Sequence, residues 1–303
     1  MSTARSTATS TARSTPRRLW AFVGSVFTPQ VYVTYAVLWV LALEGSAALL
    51  AGQPWRPGFG TAARAVSVLL ALLYLRIVDE QKDLDYDRVY HPDRPLVRGE
   101  VSVRELRVAM GALVAGLVAL NVWFSTAALL VLLGMVAYAV FLVALERLST
   151  RVRDGLLLNL AVTYPVQLLI SVYLYLSAGH SPRPGAVALI AIFACVFLHF
   201  EFARKTSWRA TPGSRFYSTV LGPVGSAATA VGFALAAAVL IAAVFRPWRS
   251  ADLAALLPYP ALALPLAAVV LFWRRRPAAW PVPLSIGFVV TSYLLLTVQA
   301  AAS

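Results

Sequence analysis

Apolar residues in this chain come in long runs rather than in the stripe of a surface helix, and short polar gaps divide the runs. The runs lie near 26–51, 62–82, 104–124, 126–146, 155–177, 184–204, 218–245, 254–273 and 280–300. Each approaches the roughly 20 residues that an α-helix needs to cross a bilayer. In hydrocarbon a helix satisfies its own backbone groups, so runs of this length predict helices. The expected fold is all-α and integral to the membrane, with about nine transmembrane helices. Residues 1–18 are rich in Ser, Thr, Ala and Arg and lack acids, which predicts a disordered cytosolic tail ahead of one membrane domain over 19–303.

Composition agrees with that expectation. Hydrophobic residues make up 60% of the chain and charged residues 13%, about half the ~25% of an ordinary soluble domain. A net charge of +13 would suggest nucleic acid if it formed one patch, but it is spread over the gaps between runs. Most of the 26 Lys and Arg fall in alternate gaps, and only Arg56, Arg64, Arg183, Arg246 and Arg249 lie on or near the opposite side. By the positive-inside rule the N-terminus is then cytosolic. The expected location is a multi-pass position in a plasma membrane of the bacterial inner-membrane type, with lipid as a partner and no nucleic acid. Cys195, the single cysteine, lies in an apolar run and predicts a packed thiol.

The acids are concentrated. Of 13 Asp and Glu in the chain, Asp79, Glu80, Asp83, Asp85, Asp87 and Asp93 follow one another at the cytosolic end of the second run. Carboxylates in contact with lipid are too costly, so these must face water, a cavity or a cation. Asp79, Asp83 and Asp87 are spaced i, i+4, i+8, which lines one face of a continuing helix. Like charges at that spacing repel unless cations sit among them. Magnesium suits a few carboxylates together with phosphate oxygens. The turn "HPDRPLVRG" comes next, its prolines ending the helix. Lys82, Arg88, Arg94 and Arg98 add positive charge beside the acids, and guanidinium forks match phosphate geometry. Carboxylates for Mg2+ beside cations for phosphate oxygens suggest a diphosphate site.

At these residues the sequence resembles the UbiA superfamily of intramembrane prenyltransferases. Asp79, Asp83 and Asp87 followed by "DRPLVRG" match its first acidic motif in order and spacing. Tyr138, Arg147, Asn159 and Pro165 echo positions in spans four and five, with Glu146 where a lysine is usual. The resemblance implies nine helices around a central substrate cavity, cytosolic acidic loops, and Mg2+ held by Asp79, Asp83 and Asp87 against an isoprenyl diphosphate. The diphosphate leaves, and an aromatic or other acceptor captures the allylic cation. In some members the substrate's own double bond attacks instead, giving a terpene cyclase. Tyr138 and Tyr164 are candidates for lining the cavity, where ring faces stabilise a cation.

A second acidic motif is expected at the end of span six, where the chain reads "HFEFARKTSWRATPG". Glu201 stands at its first position, while Lys205 and Arg209 stand four and eight residues on. On a continuing helix the charge of that face is inverted. Either Glu201 and Lys205 merely pair, or Arg204, Lys205 and Arg209 bind the diphosphate in place of a metal-bearing acid. With the resemblance, the expectation is a Mg2+-dependent enzyme that transfers a prenyl group, with Asp79, Asp83, Asp87 and Glu201 as catalytic residues. The alternatives are a cyclase on the same fold and a non-catalytic lipid-binding or transport protein. A transport pathway wants ionisable groups near the midplane, where only Glu44 lies.

Overall fold

The computed structural model describes residues 14–211, 214–248 and 253–302, and the regular elements there are helices. In chain order they are α1 (Thr15–Val26), α2 (Pro29–Leu50), α3 (Phe59–Lys82), α4 (Leu84–Tyr90), α5 (Val103–Asn121), α6 (Thr126–Leu148), α7 (Thr150–Asp154), α8 (Leu156–Thr163), α9 (Pro165–Ser177), α10 (Pro184–Arg204), α11 (Ser218–Phe245), α12 (Ala263–Arg275) and α13 (Val282–Ala302). Among the described residues, eight helical segments are long and apolar enough to cross a membrane, with α8 and α9 counted as one broken segment and α12 extended back to Ala254. The chain is a multi-pass integral membrane protein. The expected ninth span corresponds to α5, which falls outside the eight. Its 19 residues open with Arg104, Glu105 and Arg107, and a capping box between Ser102 and Glu105 starts it in polar surroundings.

One boundary needs correction. The expected disordered tail covers 1–18, but α1 already begins at Thr15; residues 1–13 lie outside the described residues. Pro16 is compatible with a first helical turn. Arg18 pairs with Glu105 at 2.5 Å, Phe22 packs with Ile77, Leu96, Val101 and Leu106, and Arg76 donates to the Val26 carbonyl at 3.1 Å. These contacts hold α1 across α3 and α5, while Trp20 points outward.

The breaks inside spans have local causes. Pro165 has no N–H to continue the ladder, so the predicted helix over 155–177 splits into α8 and α9. The Tyr138 hydroxyl donates to the Val162 carbonyl beside that break at 2.8 Å, the kind of partner a broken intramembrane helix needs. In α11 the kink is at Gly222, whose φ of 70° suits glycine, followed by Pro223.

The core is centred on α2, α9, α10 and α13, with Trp39, Tyr173, Phe193 and Tyr293 fully buried. Lipid tails are as apolar as these side chains, so close packing and polar ties must hold the helices together. At Gly45 of α2, an added Cβ would lie 2.8 Å from the Ala300 Cβ of α13, so glycine permits that approach. Asn121 donates to Ser67 at 2.8 Å and accepts from Tyr173 at 2.6 Å, tying α5, α3 and α9. Glu44 is held by Arg64 at 3.0 Å, Thr61 at 2.8 Å and the Trp55 indole at 3.3 Å. Arg64 also donates to the Ser177 carbonyl at 3.0 Å. This cluster closes one end of α2, α3 and α9.

Candidate functional site

The first acidic motif lies where α3 gives way to α4. The expected single helix is interrupted: α3 stops at Lys82 and Asp83 caps it. Two backbone bonds nevertheless span the junction, from Asp83 N to Asp79 O at 2.9 Å and from Asp87 N to Asp83 O at 2.8 Å. The three aspartates have different surroundings. The Asp79 side chain is 51% exposed, with Lys82 at 3.6 Å. Asp83 is partly exposed and meets Arg215, from the segment before α11, at 3.2 Å. Asp87 is buried against Arg94 at 2.7 Å. Burial raises the Asp87 pKa, while the Arg94 guanidinium opposes that shift.

Arg94 also contacts Glu80 at 2.8 Å, and Arg76 reaches Glu80 at 2.5 Å. Arg94 therefore folds the "HPDRP" turn back onto α3 and α4. Arg88 and Arg98 lie at the surface, paired with Asp85 at 2.8 Å and Glu100 at 3.1 Å. Lys82 turns inward to Glu146 at 3.2 Å, and Asn159 donates to the same Glu146 oxygen at 2.7 Å. Glu146 is thus the partner that brings Lys82, on α3, together with Asn159, on α8.

The second half of the site lies at the end of α10. That helix stops at Arg204, so Arg209 does not share a helical face with Glu201 and Lys205 as expected; it is exposed on the following loop. The chain leaves the helix to pair with the segment before α13: Trp208 N donates to Ala278 O at 3.1 Å and Trp280 N to Thr206 O at 3.0 Å. Glu201 is buried. One of its oxygens meets Lys205 at 2.6 Å and Tyr217 at 3.0 Å, and the other meets Arg204 at 2.5 Å. The Lys205 side chain is 28% exposed and that of Arg204 45%. Burial and the like charges of Arg204 and Arg215 lower the Lys205 pKa, against the opposing pull of Glu201. Burial, then Glu201, raise the Tyr217 hydroxyl.

Aromatic rings continue inward from this cluster. Arg204 lies over Phe200 at 5.9 Å, Phe200 and Phe197 are 6.3 Å apart, and Phe197 is 6.2 Å from both Tyr164 and Tyr35. These rings come from α2, the α8–α9 junction and α10, so they face one another inside the bundle, yet they remain partly accessible. Deeper in, Tyr293 and Phe193 are fully buried, 5.2 Å apart. Such a lining suits an apolar, electron-poor guest. The Tyr164 hydroxyl donates to the Ala194 carbonyl at 2.7 Å, so its ring is what it can offer. His199, another residue of α10, is buried between the Ala230 carbonyl at 2.9 Å and Ser285 at 3.0 Å. The carbonyl requires the proton on Nδ1, so Ser285 donates to Nε2, and the ring ties α10 to α11 and α13.

Mg2+ fits the two halves unequally. Asp79 and Asp83 are accessible carboxylates of the type that binds this ion with phosphate oxygens. Among the described residues, no three His, Cys, Asp or Glu side chains converge to hold a metal by themselves. Glu201 fits poorly, because cations or a hydroxyl occupy both its oxygens. Sequence inspection missed Glu80, Arg215 and the partnership of Glu146 with Lys82. The opposite charges were visible, but the pairing depends on tertiary contacts.

No protein-family model and no curated protein sequence matches the chain. Solved structures do. A UbiA homologue from Aeropyrum pernix K1 superposes with a TM-score of 0.56 at 19% identity, covering 87% of this chain and 96% of that one. A digeranylgeranylglyceryl phosphate synthase gives 0.59 at 12% identity, covering 95% and 100%. A UbiA homologue from Archaeoglobus fulgidus, bound to GPP and Mg2+, gives 0.55 at 16% identity, covering 90% and 99%. The chain has the UbiA fold, as its first acidic motif implied.

Proposed function

We propose that the protein ionises an isoprenyl diphosphate and transfers the prenyl group to an acceptor, with the reacting end at the cytosolic mouth of the bundle. The observation that carries this reading is the grouping of the accessible Asp79 and Asp83 carboxylates, the Glu201 cluster, whose Lys205 feels the charge of the Arg215 that pairs with Asp83, and the aromatic path behind that cluster. The fold neighbours solved with GPP, or with DMAPP, and Mg2+ support it.

Asp79 and Asp83 would hold the metal, and Arg94 keeps Asp87 and the following turn in place. Mg2+ at these acids would neutralise charge growing on the leaving oxygen. In the reaction the carbon–oxygen bond to the diphosphate breaks and both electrons leave with the diphosphate. The acceptor then bonds to that carbon and gives up a proton. Phe197, Phe200, Tyr35 and Tyr164 exclude water and present ring faces to the allylic cation. Lys82, set by Glu146 and Asn159, is the inward cation of the first half. Arg88 and Arg98 can reach a ligand only by leaving their surface partners.

The test is diphosphate release by the purified protein with Mg2+ and C10, C15 or C20 prenyl diphosphates, with and without phenolic acceptors. Release that requires an acceptor is the expected result. Release with hydrocarbon product and no acceptor would assign cyclisation instead. Asp83→Ala is expected to lower the rate by roughly a hundredfold or more, as loss of a main charge-stabilising group does. No release from any substrate, with Asp83→Ala indistinguishable from wild type, overturns the enzyme reading.

A further inference from the structure

We infer that the Glu201 side of the mouth is a metal-independent anion site, in which Lys205 and Arg204 hold diphosphate oxygens directly and Mg2+ serves only the Asp79–Asp83 side. This deepens the proposed reaction and rests on it for the identity of the ligand.

The starting point is that Glu201 is saturated. Lys205 and Tyr217 share one oxygen, and Arg204 takes the other through both Nε, at 2.6 Å, and a terminal nitrogen, at 2.5 Å. A metal could bind there only by displacing cations already in place. The cations have donors to spare. An ammonium carries three N–H groups and a guanidinium five, and a single carboxylate with one tyrosine uses only part of them. Both side chains stay partly accessible although their carboxylate is buried. Glu201 holds them from the buried side, and their exposed surface leaves N–H groups free for a ligand.

Charge points the same way. Two cations against one carboxylate leave a positive excess, and the like charge of Arg215 acts on Lys205 as well. Arg215 is turned toward Asp83 and stacks over the Tyr86 ring at 4.2 Å, so it joins this positive side to the acidic one. A multiply charged anion placed between them would relieve repulsion among Lys205, Arg204 and Arg215. Guanidinium forks and lysine ammoniums are standard phosphate ligands.

The mounting is rigid. The backbone after Lys205 is bonded to residues 278–280 at Thr206 and Trp208, the Trp208 indole donates to the Phe272 carbonyl at 2.9 Å, and Ser207 N donates to the Ser218 hydroxyl at the start of α11 at 2.8 Å. Lys205 N also lies 3.1 Å from the Phe202 carbonyl, and the Lys205 carbonyl accepts from Tyr217 N at 2.9 Å. The cations are thus positioned before a ligand arrives.

The experiment is calorimetric binding of inorganic diphosphate to the full-length protein in detergent with excess EDTA, and again with Mg2+. Saturable binding in EDTA is expected, weakened roughly tenfold or more by Lys205→Gln, the scale of one charge-assisted hydrogen bond. Lys205→Arg should largely restore it, which separates loss of charge from misfolding. Asp83→Asn should leave EDTA binding in place and remove the gain from Mg2+. Inorganic phosphate should compete weakly, whereas competition as strong as that of diphosphate would indicate a general phosphate site and overturn the assignment. Absence of binding in EDTA, or binding insensitive to Lys205→Gln, also overturns it. If diphosphate then binds only with Mg2+ and prenyl diphosphates are still turned over, the enzyme reading stands and this inference alone fails. Binding in EDTA without turnover would instead uphold the anion site and reject the enzyme reading.

Discussion

Two buried glutamates, Glu44 and Glu201, organise two charged clusters and are used in opposite ways. Glu44 takes bonds from Arg64, Thr61 and Trp55, and its cation is as buried as itself, each side chain being 9% exposed. Arg64 spends a further donor on the Ser177 carbonyl. Glu201 is equally saturated, but Lys205 and Arg204 keep 28% and 45% of their side-chain surface. A carboxylate enclosed with its cation makes a closed tie. A carboxylate under two half-exposed cations makes a mount, which fixes charge without consuming it. The difference lies in the partners' surroundings rather than in the acid.

The sharpest way to break this comparison is to remove each acid in turn. Glu44→Gln leaves Arg64 charged and buried without its counter-ion, and should cost about 3–5 kcal/mol of stability, read as a large fall in thermal midpoint in detergent. Replacing both Glu44 and Arg64 by apolar residues of similar volume should recover most of that loss. Glu201→Gln should cost less, on the order of 1 kcal/mol, because Lys205 and Arg204 retain water contact. It should strengthen metal-free binding of inorganic diphosphate while slowing turnover, since positive charge rises as orientation is lost. Equal destabilisation by the two substitutions would erase the distinction.

A smaller effect sharpens the mount itself. The Lys205 pKa is lowered by burial and by its cationic neighbours. An anion prefers the protonated amine, so affinity is full below that lowered pKa and falls as pH rises through it. The fall should begin below the ordinary lysine value of about 10.4. In Lys205→Arg the side chain stays charged, so the ratio of wild-type to variant affinity should decline with pH even though the ligand titrates too. The smallest effect expected is that of Arg215→Ala. Its tie to Asp83 is partly exposed, so stability should change by less than about 1 kcal/mol, with a modest loss of metal-free binding.

The spans were legible because lipid removes the ambiguity of amphipathic patterns. The runs at 184–204 and 218–245 coincide with α10 and α11. Pro165 was visible in the fifth run, but a nearly continuous apolar stretch hid the break it causes. α1 went unread because a short helix that opens with Pro16, Arg17 and Arg18 continues the polar tail, and its apolar stretch is too short to read as a span. At the site, the spacing of Asp79, Asp83 and Asp87 was readable, but their unequal burial was not: Arg94 encloses one and Arg215 meets another across 132 positions. Arg209 was misplaced because nothing local announces the end of α10; the pull comes from residues 278–280, beyond α11 and α12.

The pairing of Thr206 and Trp208 with residues 278–280 also sets an order of assembly. The Glu44–Arg64 tie joins positions 20 apart and can close once α3 has emerged from the ribosome. The acids of the first motif follow at the end of α3 and in α4. The support for Lys205 requires Tyr217 and then Trp280, so the positive half of the mouth cannot be finished until nearly all of the chain has been made. During synthesis the protein passes through a stage that carries its carboxylates without their completed counterpart. That counterpart closes only as residues 278–280 arrive, just ahead of α13.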